Sequence, residues 1–142
     1  MRRLSNLGDN IKLDIGCGEF KIDGFVSMDW QDFGQEIVWD INHGIPLPND
    51  SVSELHTSHF KEHIEVKDII NLILEIVRVC KNGAKVTLIA PHADTLEAYY
   101  ICHYSLWNEQ RIEGICKEIK QMELIKTYKE GINFIANIII KK

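Results

Sequence analysis

Ile11-Lys12-Leu13-Asp14-Ile15-Gly16-Cys17-Gly18-Glu19 is the stretch that decides the fold. Ile11, Leu13 and Ile15 alternate with Lys12 and Asp14, which is the period of a β-strand. The strand then breaks into a glycine turn. Glycine there lets backbone N–H groups approach a ligand, because no Cβ stands between them. The next apolar run, Phe25-Val26-Ser27-Met28, ends in a second carboxylate, Asp29. A carboxylate at a strand end can accept both hydrogen bonds of a ribose diol. Together these features predict a nucleoside-containing cofactor at the carboxyl edge of a parallel sheet.

Outward from that stretch, strands and helices alternate. Gln35–Trp39 reads as a third strand ending in Asp40. Ile45-Pro46-Leu47-Pro48-Asn49-Asp50 is a loop, since two prolines remove donors and fix the backbone. Val52–Thr57 is a fourth strand. Val66, Ile69, Ile70, Ile73, Val77 and Cys80 recur at helical spacing, with Lys67, Asp68, Asn71, Glu75 and Arg78 on the other face. Asn82-Gly83 supplies a stop, and Ala84–Ala90 a fifth strand. Asp94-Thr95-Leu96-Glu97 has the form of a helix start. A further helix opens near Ser105-Leu106-Trp107-Asn108 and buries Ile112, Ile115, Cys116 and Ile119. Met122–Tyr128 and Phe134–Ile140 flank a hairpin turn at Lys129-Glu130-Gly131. The fold class is α/β: a Rossmann-like sheet, mostly parallel, with an antiparallel C-terminal hairpin. Only nine residues, Gly16 to Gly24, separate the first two strands. A parallel crossover usually takes about a dozen or more, so the first crossover helix must be abridged.

At 142 residues the chain is expected to form a single domain over 1–142. A net charge of −5 argues against a broad phosphate-binding face and so against bulk nucleic acid as a partner. The four cysteines, Cys17, Cys80, Cys102 and Cys116, form no C-x-x-C pair and suit reduced thiols in a cytoplasmic protein. The first residues lack the apolar core of a signal peptide. No apolar run approaches the ~18 residues of a membrane span.

Lys12-Leu13-Asp14-Ile15-Gly16-Cys17-Gly18 resembles the first motif of class I S-adenosylmethionine-dependent methyltransferases. Later landmarks are similar in order. Val26-Ser27-Met28-Asp29 resembles the second strand with its ribose-binding acid. Val38-Trp39-Asp40-Ile41 resembles the adenine-side acid, and Ile45 to Val52 its loop and the fourth strand. Ser58-His59-Phe60-Lys61-Glu62-His63 matches the exit from that strand, and Arg78-Val79-Cys80-Lys81-Asn82-Gly83 the turn that ends the following helix. The resemblance implies a seven-strand sheet whose last strand is antiparallel. It implies S-adenosylmethionine as cofactor, with Asp14, Gly16, Cys17 and Gly18 at its methionine end. Asp29 would hold the ribose, Trp30 would cover an adenine face, and Asp40 with Ile41 would meet the adenine edge. The family's third glycine is missing, the usual proline of the helix-ending turn is Asn82, and the roofing N-terminal helices have no room before Ile11. The activity implied is methyl transfer to an unidentified small-molecule or protein acceptor. The alternative is a catalytically silent cofactor-binding module, or a subunit whose open cleft is covered by a second copy or a partner.

Two other chemistries compete. A dinucleotide fingerprint needs G-x-G-x-x-G and an acid about 20 residues on. Here Lys21 stands at the third glycine position and Asp29 comes 13 residues after Gly16. His59-Phe60-Lys61-Glu62-His63 matches H-x-x-E-H, a zinc-peptidase motif, with His56 just upstream. That motif needs both histidines on one helical face, whereas His59 falls at a strand exit. No metal site is expected. As bases for the acceptor, His59, His92 and His103 are the candidates, since a neutral imidazole suits proton removal near pH 7.

Overall fold

The structure is a computed structural model and describes residues 7–59, 64–100, 103 and 105–142. In chain order it contains β1 (Ile11–Ile15), β2 (Val26–Asp29), β3 (Ile37–Val38), β4 (Val52–Ser58), α1 (Val66–Val79), β5 (Cys80–Pro91), α2 (Glu109–Glu118), β6 (Met122–Glu130) and β7 (Asn133–Ile140). Single 3-10 turns lie at Ile41–His43 and Leu96–Tyr99. The seven strands form one sheet in the order β3-β2-β1-β4-β5-β7-β6. Neighbouring pairs from β3 to β5 are parallel, and β7 runs antiparallel to both β5 and β6. This is the sheet expected from the sequence, closing hairpin included, although the turn falls at Gly131-Ile132 because Lys129 and Glu130 still pair with Phe134 and Asn133.

The helices sit on one side of it. From β1 to β3 the chain steps one way across the sheet; from β3 to β4, β5 and then β6 it steps the other way. Right-handed crossovers therefore assign the first two connections to one face and the later ones to the opposite face. Both α1 and α2 belong to the later set. Leu13, Ile15, Leu55, Val86, Leu88, Ala136 and Ile138 point to that side. They form one core with Ile69, Leu72, Ile73 and Ile76 of α1 and Ile112 of α2.

On the other face, residues 16–25 and 30–36 connect β1 to β2 and β2 to β3 without a helix. The first crossover is thus cut to turns, as its nine-residue spacing requires. That face is polar across the strands. Ser27, Asp14, His56, Thr87 and Asn137 stand in register over β2, β1, β4, β5 and β7. Lys12, Glu54 and Lys85 form the next row, and Lys12 pairs with Glu54 at 3.6 Å. A parallel sheet covered on both faces reads as continuous apolar runs. The alternation in Ile11-Lys12-Leu13-Asp14-Ile15 is the sequence trace of a sheet with one apolar face.

Several local expectations shift. In α1 the buried positions include Leu72 and Ile76, while Ile70 is 51% exposed; the apolar stripe is turned slightly from the one the spacing suggested. The helix ends at Val79, before Asn82-Gly83, because Cys80 is already extended and pairs with Val52. β3 shrinks to Ile37–Val38. Its expected first residue, Gln35, is buried and spends its side-chain amide on the carbonyls of Gln31 and Ile37 at 2.7 and 3.1 Å. Asp94 caps no helix. Its carboxylate pairs with Lys129 at 2.9 Å, and only the 3-10 turn follows. The second helix opens where expected, its first turn capped by the Asn108 side chain accepting the Arg111 N–H at 2.9 Å. No described helix is long and apolar enough to cross a membrane.

Candidate functional site

A cavity of about 320 Å³ opens at the carboxyl ends of β1, β2 and β3. Open α/β sheets bind ligands at this edge, where the strand order reverses. Ile15, Gly16, Met28, Asp29 and Trp30 line it from the ends of β1 and β2, and Trp39, Asp40, Ile41 and Asn42 from the segment after β3, with Ile64 from beyond β4. The volume is at the low end of small-molecule sites and suits a nucleoside.

The glycine turn is wired to the end of β2. Gly16 and Cys17 both donate to the Met28 carbonyl, at 2.8 and 3.2 Å. Gly18 donates to one Asp29 carboxylate oxygen at 3.0 Å, and Gln31 donates to the other at 3.1 Å. Gly16 and Gly18 have φ of 73° and 57°, the left-handed region that penalises a side chain. Each Asp29 oxygen keeps acceptor capacity beyond its one backbone partner. Cys17 is buried, and its thiol is pushed up to about 11, by burial first and then by the Asp29 and Asp14 charges.

Of the residues predicted for the cofactor, Gly16, Asp29, Trp30, Asp40 and Ile41 line this one cavity. Asp14, Cys17 and Gly18 do not line it. Asp14 is buried on the polar face of the sheet, its Oδ1 3.0 Å from His56 Nδ1. Trp30 is 65% exposed. Asp40 accepts the Asn42 N–H at 2.9 Å and so caps the 3-10 turn that carries Ile41 and Asn42. Sequence reasoning missed Ile15, Met28, Trp39, Asn42 and Ile64 as lining residues. Trp39 had a signal, its position just before Asp40 at a strand end.

The histidines are scattered. His59 leaves β4 with a φ of 52°, its backbone N–H on the Ile89 carbonyl at 2.9 Å. His92 follows β5, and both its ring nitrogens have partners. Nε2 is 3.0 Å from a Glu109 oxygen, while Nδ1 lies 3.1 Å from the Asp94 N–H and 2.9 Å from its carboxylate. The hydrogen bond to Lys129 leads the causes that lower the Asp94 carboxyl. The Glu109 carboxyl is lowered chiefly by its own backbone N–H, then by His92. A second, wider cavity of about 640 Å³ lies between His92, Tyr99, Asn108 and Arg111. The His103 ring stands 5.7 Å from that of Tyr100. Among the described residues no three His, Cys, Asp or Glu side chains gather as a metal site would. His63 of the zinc-like motif, like Cys102, lies outside the described residues.

No family model matches the chain, and no curated protein matches it by sequence. Solved structures do match. An S-adenosylmethionine-dependent methyltransferase from Aquifex aeolicus aligns with a TM-score of 0.67 at 17% identity, over 94% of this chain and 83% of its own. Another, from Archaeoglobus fulgidus, aligns at 0.69 and 14%, over 93% and 86%. The N-methyltransferase NodS of Bradyrhizobium japonicum, with S-adenosylhomocysteine bound, aligns at 0.70 and 10%, over 94% and 79%. A Haloferax volcanii complex of the Trm112 methyltransferase activator aligns at 0.72 and 10%, over 95% and 83%. The chain has the fold of the class I S-adenosylmethionine-dependent methyltransferases.

Proposed function

We propose that this chain is a single-domain S-adenosylmethionine-binding protein that transfers a methyl group to a small-molecule or protein acceptor. The observation that carries the proposal is the cavity itself. One carboxylate with spare acceptor capacity, Asp29, shares its lining with the aromatic and apolar side chains of Trp30, Trp39 and Ile41 and with the glycine turn at Gly16. The donor set fits a nucleoside. Asp29 would accept the ribose hydroxyls, Trp30 would cover one adenine face, and Asp40 with Ile41 would meet the adenine edge. Gly16, with Cys17 and Gly18 behind it, would border the methionine end, and Asp14 would act by fixing β1. A pyrophosphate fits less well, because no helix N-terminus follows β1 to receive it.

S-adenosylmethionine, when bound, supplies an activated methyl carbon, so the protein's task is alignment. The cavity walls hold the nucleoside. His59, His92 and His103 are the candidate bases for an acceptor proton; the His92 ring lies between Glu109 and Asp94. Isothermal calorimetry with S-adenosylmethionine and S-adenosylhomocysteine tests the proposal, and absence of binding to both would reject it.

A second reading has its own support. The first two crossovers carry no helix. One matching structure is of a complex with an activator protein. A cofactor-binding module that needs a second copy or partner subunit for activity fits these facts. Binding without turnover over an acceptor panel would favour it.

A further inference from the structure

The segment that brings Trp39 to Asn42 to the cavity has no α-helix of its own. Between β3 and β4 the chain makes one 3-10 turn and then a loop with two prolines. Its backbone polar groups must find partners elsewhere. They find them on α1. One Glu75 oxygen accepts the Ile45 N–H at 2.7 Å. Arg78 donates to the Ile45 carbonyl at 2.7 Å, to the Leu47 carbonyl at 3.0 Å and to the Asn49 side chain at 2.9 Å. The two side chains also bind each other through two contacts of 2.7 and 2.8 Å. One ion pair thus grips both backbone groups of Ile45, and its guanidinium fork reaches two residues further.

The grip continues toward the cavity through Gly44. A Cβ there would meet a Glu75 oxygen at 2.8 Å, and the residue has a φ of 84°. Its N–H donates to the Ile41 carbonyl at 2.9 Å, and its carbonyl accepts the Trp39 indole N–H at 3.1 Å. Trp39 and Ile41 are cavity wall.

We propose that Glu75 and Arg78 are positioning residues. From outside the cavity, through Gly44, they set the place of Trp39 and the Asp40–Asn42 turn, and so the affinity for an adenine nucleoside. This rests on the cofactor proposal above for its ligand, but the mechanical link to Trp39 stands apart from it. Lysine cannot replace Arg78, because an ammonium lacks the planar fork that reaches several acceptors at once.

The test uses the full chain and two readouts. In nitrogen-15 spectra, the Trp39 indole N–H should move, and exchange faster with solvent, in Arg78→Lys, while that of Trp107 stays. S-adenosylhomocysteine affinity should fall about tenfold or more. Gly44→Ala, whose Cβ would press on the Glu75 carboxylate, should reproduce both effects without removing a charge, and it serves if Arg78→Lys does not fold. Lys81→Met, which removes a cation three residues beyond Arg78 that donates to Asn10 at 2.9 Å, should change neither. An unmoved Trp39 signal in folded Arg78→Lys and Gly44→Ala overturns the mechanical link. Unchanged affinity in those variants overturns the positioning role. Failure of the wild-type chain to bind S-adenosylhomocysteine overturns the cofactor proposal, and the Trp39 signal then still judges the link.

Discussion

The Gly18 N–H points at the Asp29 carboxylate from 3.0 Å, across the gap between the end of β1 and the end of β2. Asp29 is therefore part of the turn as well as part of the cavity. Its other oxygen holds Gln31 at 3.1 Å, next to Trp30. One side chain fixes the glycine turn, the start of the following loop and the cavity wall between them.

Asp29→Ala should weaken S-adenosylhomocysteine binding by about 1–3 kcal/mol, the cost of leaving polar partners without an acceptor. Asp29→Asn should recover only part of this, because its amide nitrogen would face either the Gly18 or the Gln31 N–H. Calorimetry on both variants checks the order. Equal affinity of wild type and Asp29→Ala would remove Asp29 from the site.

Cys17 gives a chemical probe of the same turn. Burial and the neighbouring carboxylates hold its thiol near 11, and burial puts Cys80 near 12. Only the thiolate is strongly nucleophilic. Both should resist iodoacetamide at pH 8 in the native chain and react fully in denaturant, as peptide mapping would show. Asp29→Asn should speed Cys17 alkylation and leave Cys80 unchanged.

The two faces of the sheet should respond differently along a single strand. Leu55 of β4 is fully buried in the core under α1, so Leu55→Ala should cost about 2–5 kcal/mol. Glu54, one residue earlier, faces the polar side and pairs with a half-exposed Lys12. Exposed ion pairs contribute about 0–1 kcal/mol, and Glu54→Ala should cost no more. Urea unfolding of both variants measures the contrast. A large loss in Glu54→Ala would mean that this face is packed.

Much of this was legible because alternation and turn chemistry are local. Ile11 to Gly18 displayed the first strand and its break, and Asp29 and Asp40 marked the next strand ends. The nine-residue spacing after Gly16 announced the missing helix. What stayed hidden depends on contacts between distant residues. Gln35 looked like strand and became a buried amide serving the carbonyls of Gln31 and Ile37. Asp94 and Thr95 looked like a helix start, until Lys129, 35 residues on, took the carboxylate. Asp14 looked like a cofactor ligand by motif, yet strand register sets it against His56. Glu75 and Arg78 looked like the solvated face of a helix. The loop they grip lies about 30 residues upstream.

That pair should also leave a signature in acid. The Arg78 hydrogen bond holds the Glu75 carboxyl below its ordinary value of 4.5. A carboxyl lowered on folding contributes stability that is complete above the unfolded value and is lost as pH falls through the folded one. Glu75→Gln should therefore be clearly less stable than wild type at pH 7. The gap should hold down to about pH 5 and narrow below that, as wild-type Glu75 takes up its proton. Asp94 and Glu109 are lowered as well, so both proteins lose stability in acid, and only the difference between them isolates Glu75. Unfolding curves in urea from pH 7 to pH 3 measure it. A gap that stays constant over that range would mean that Arg78 does not favour the charged form of Glu75.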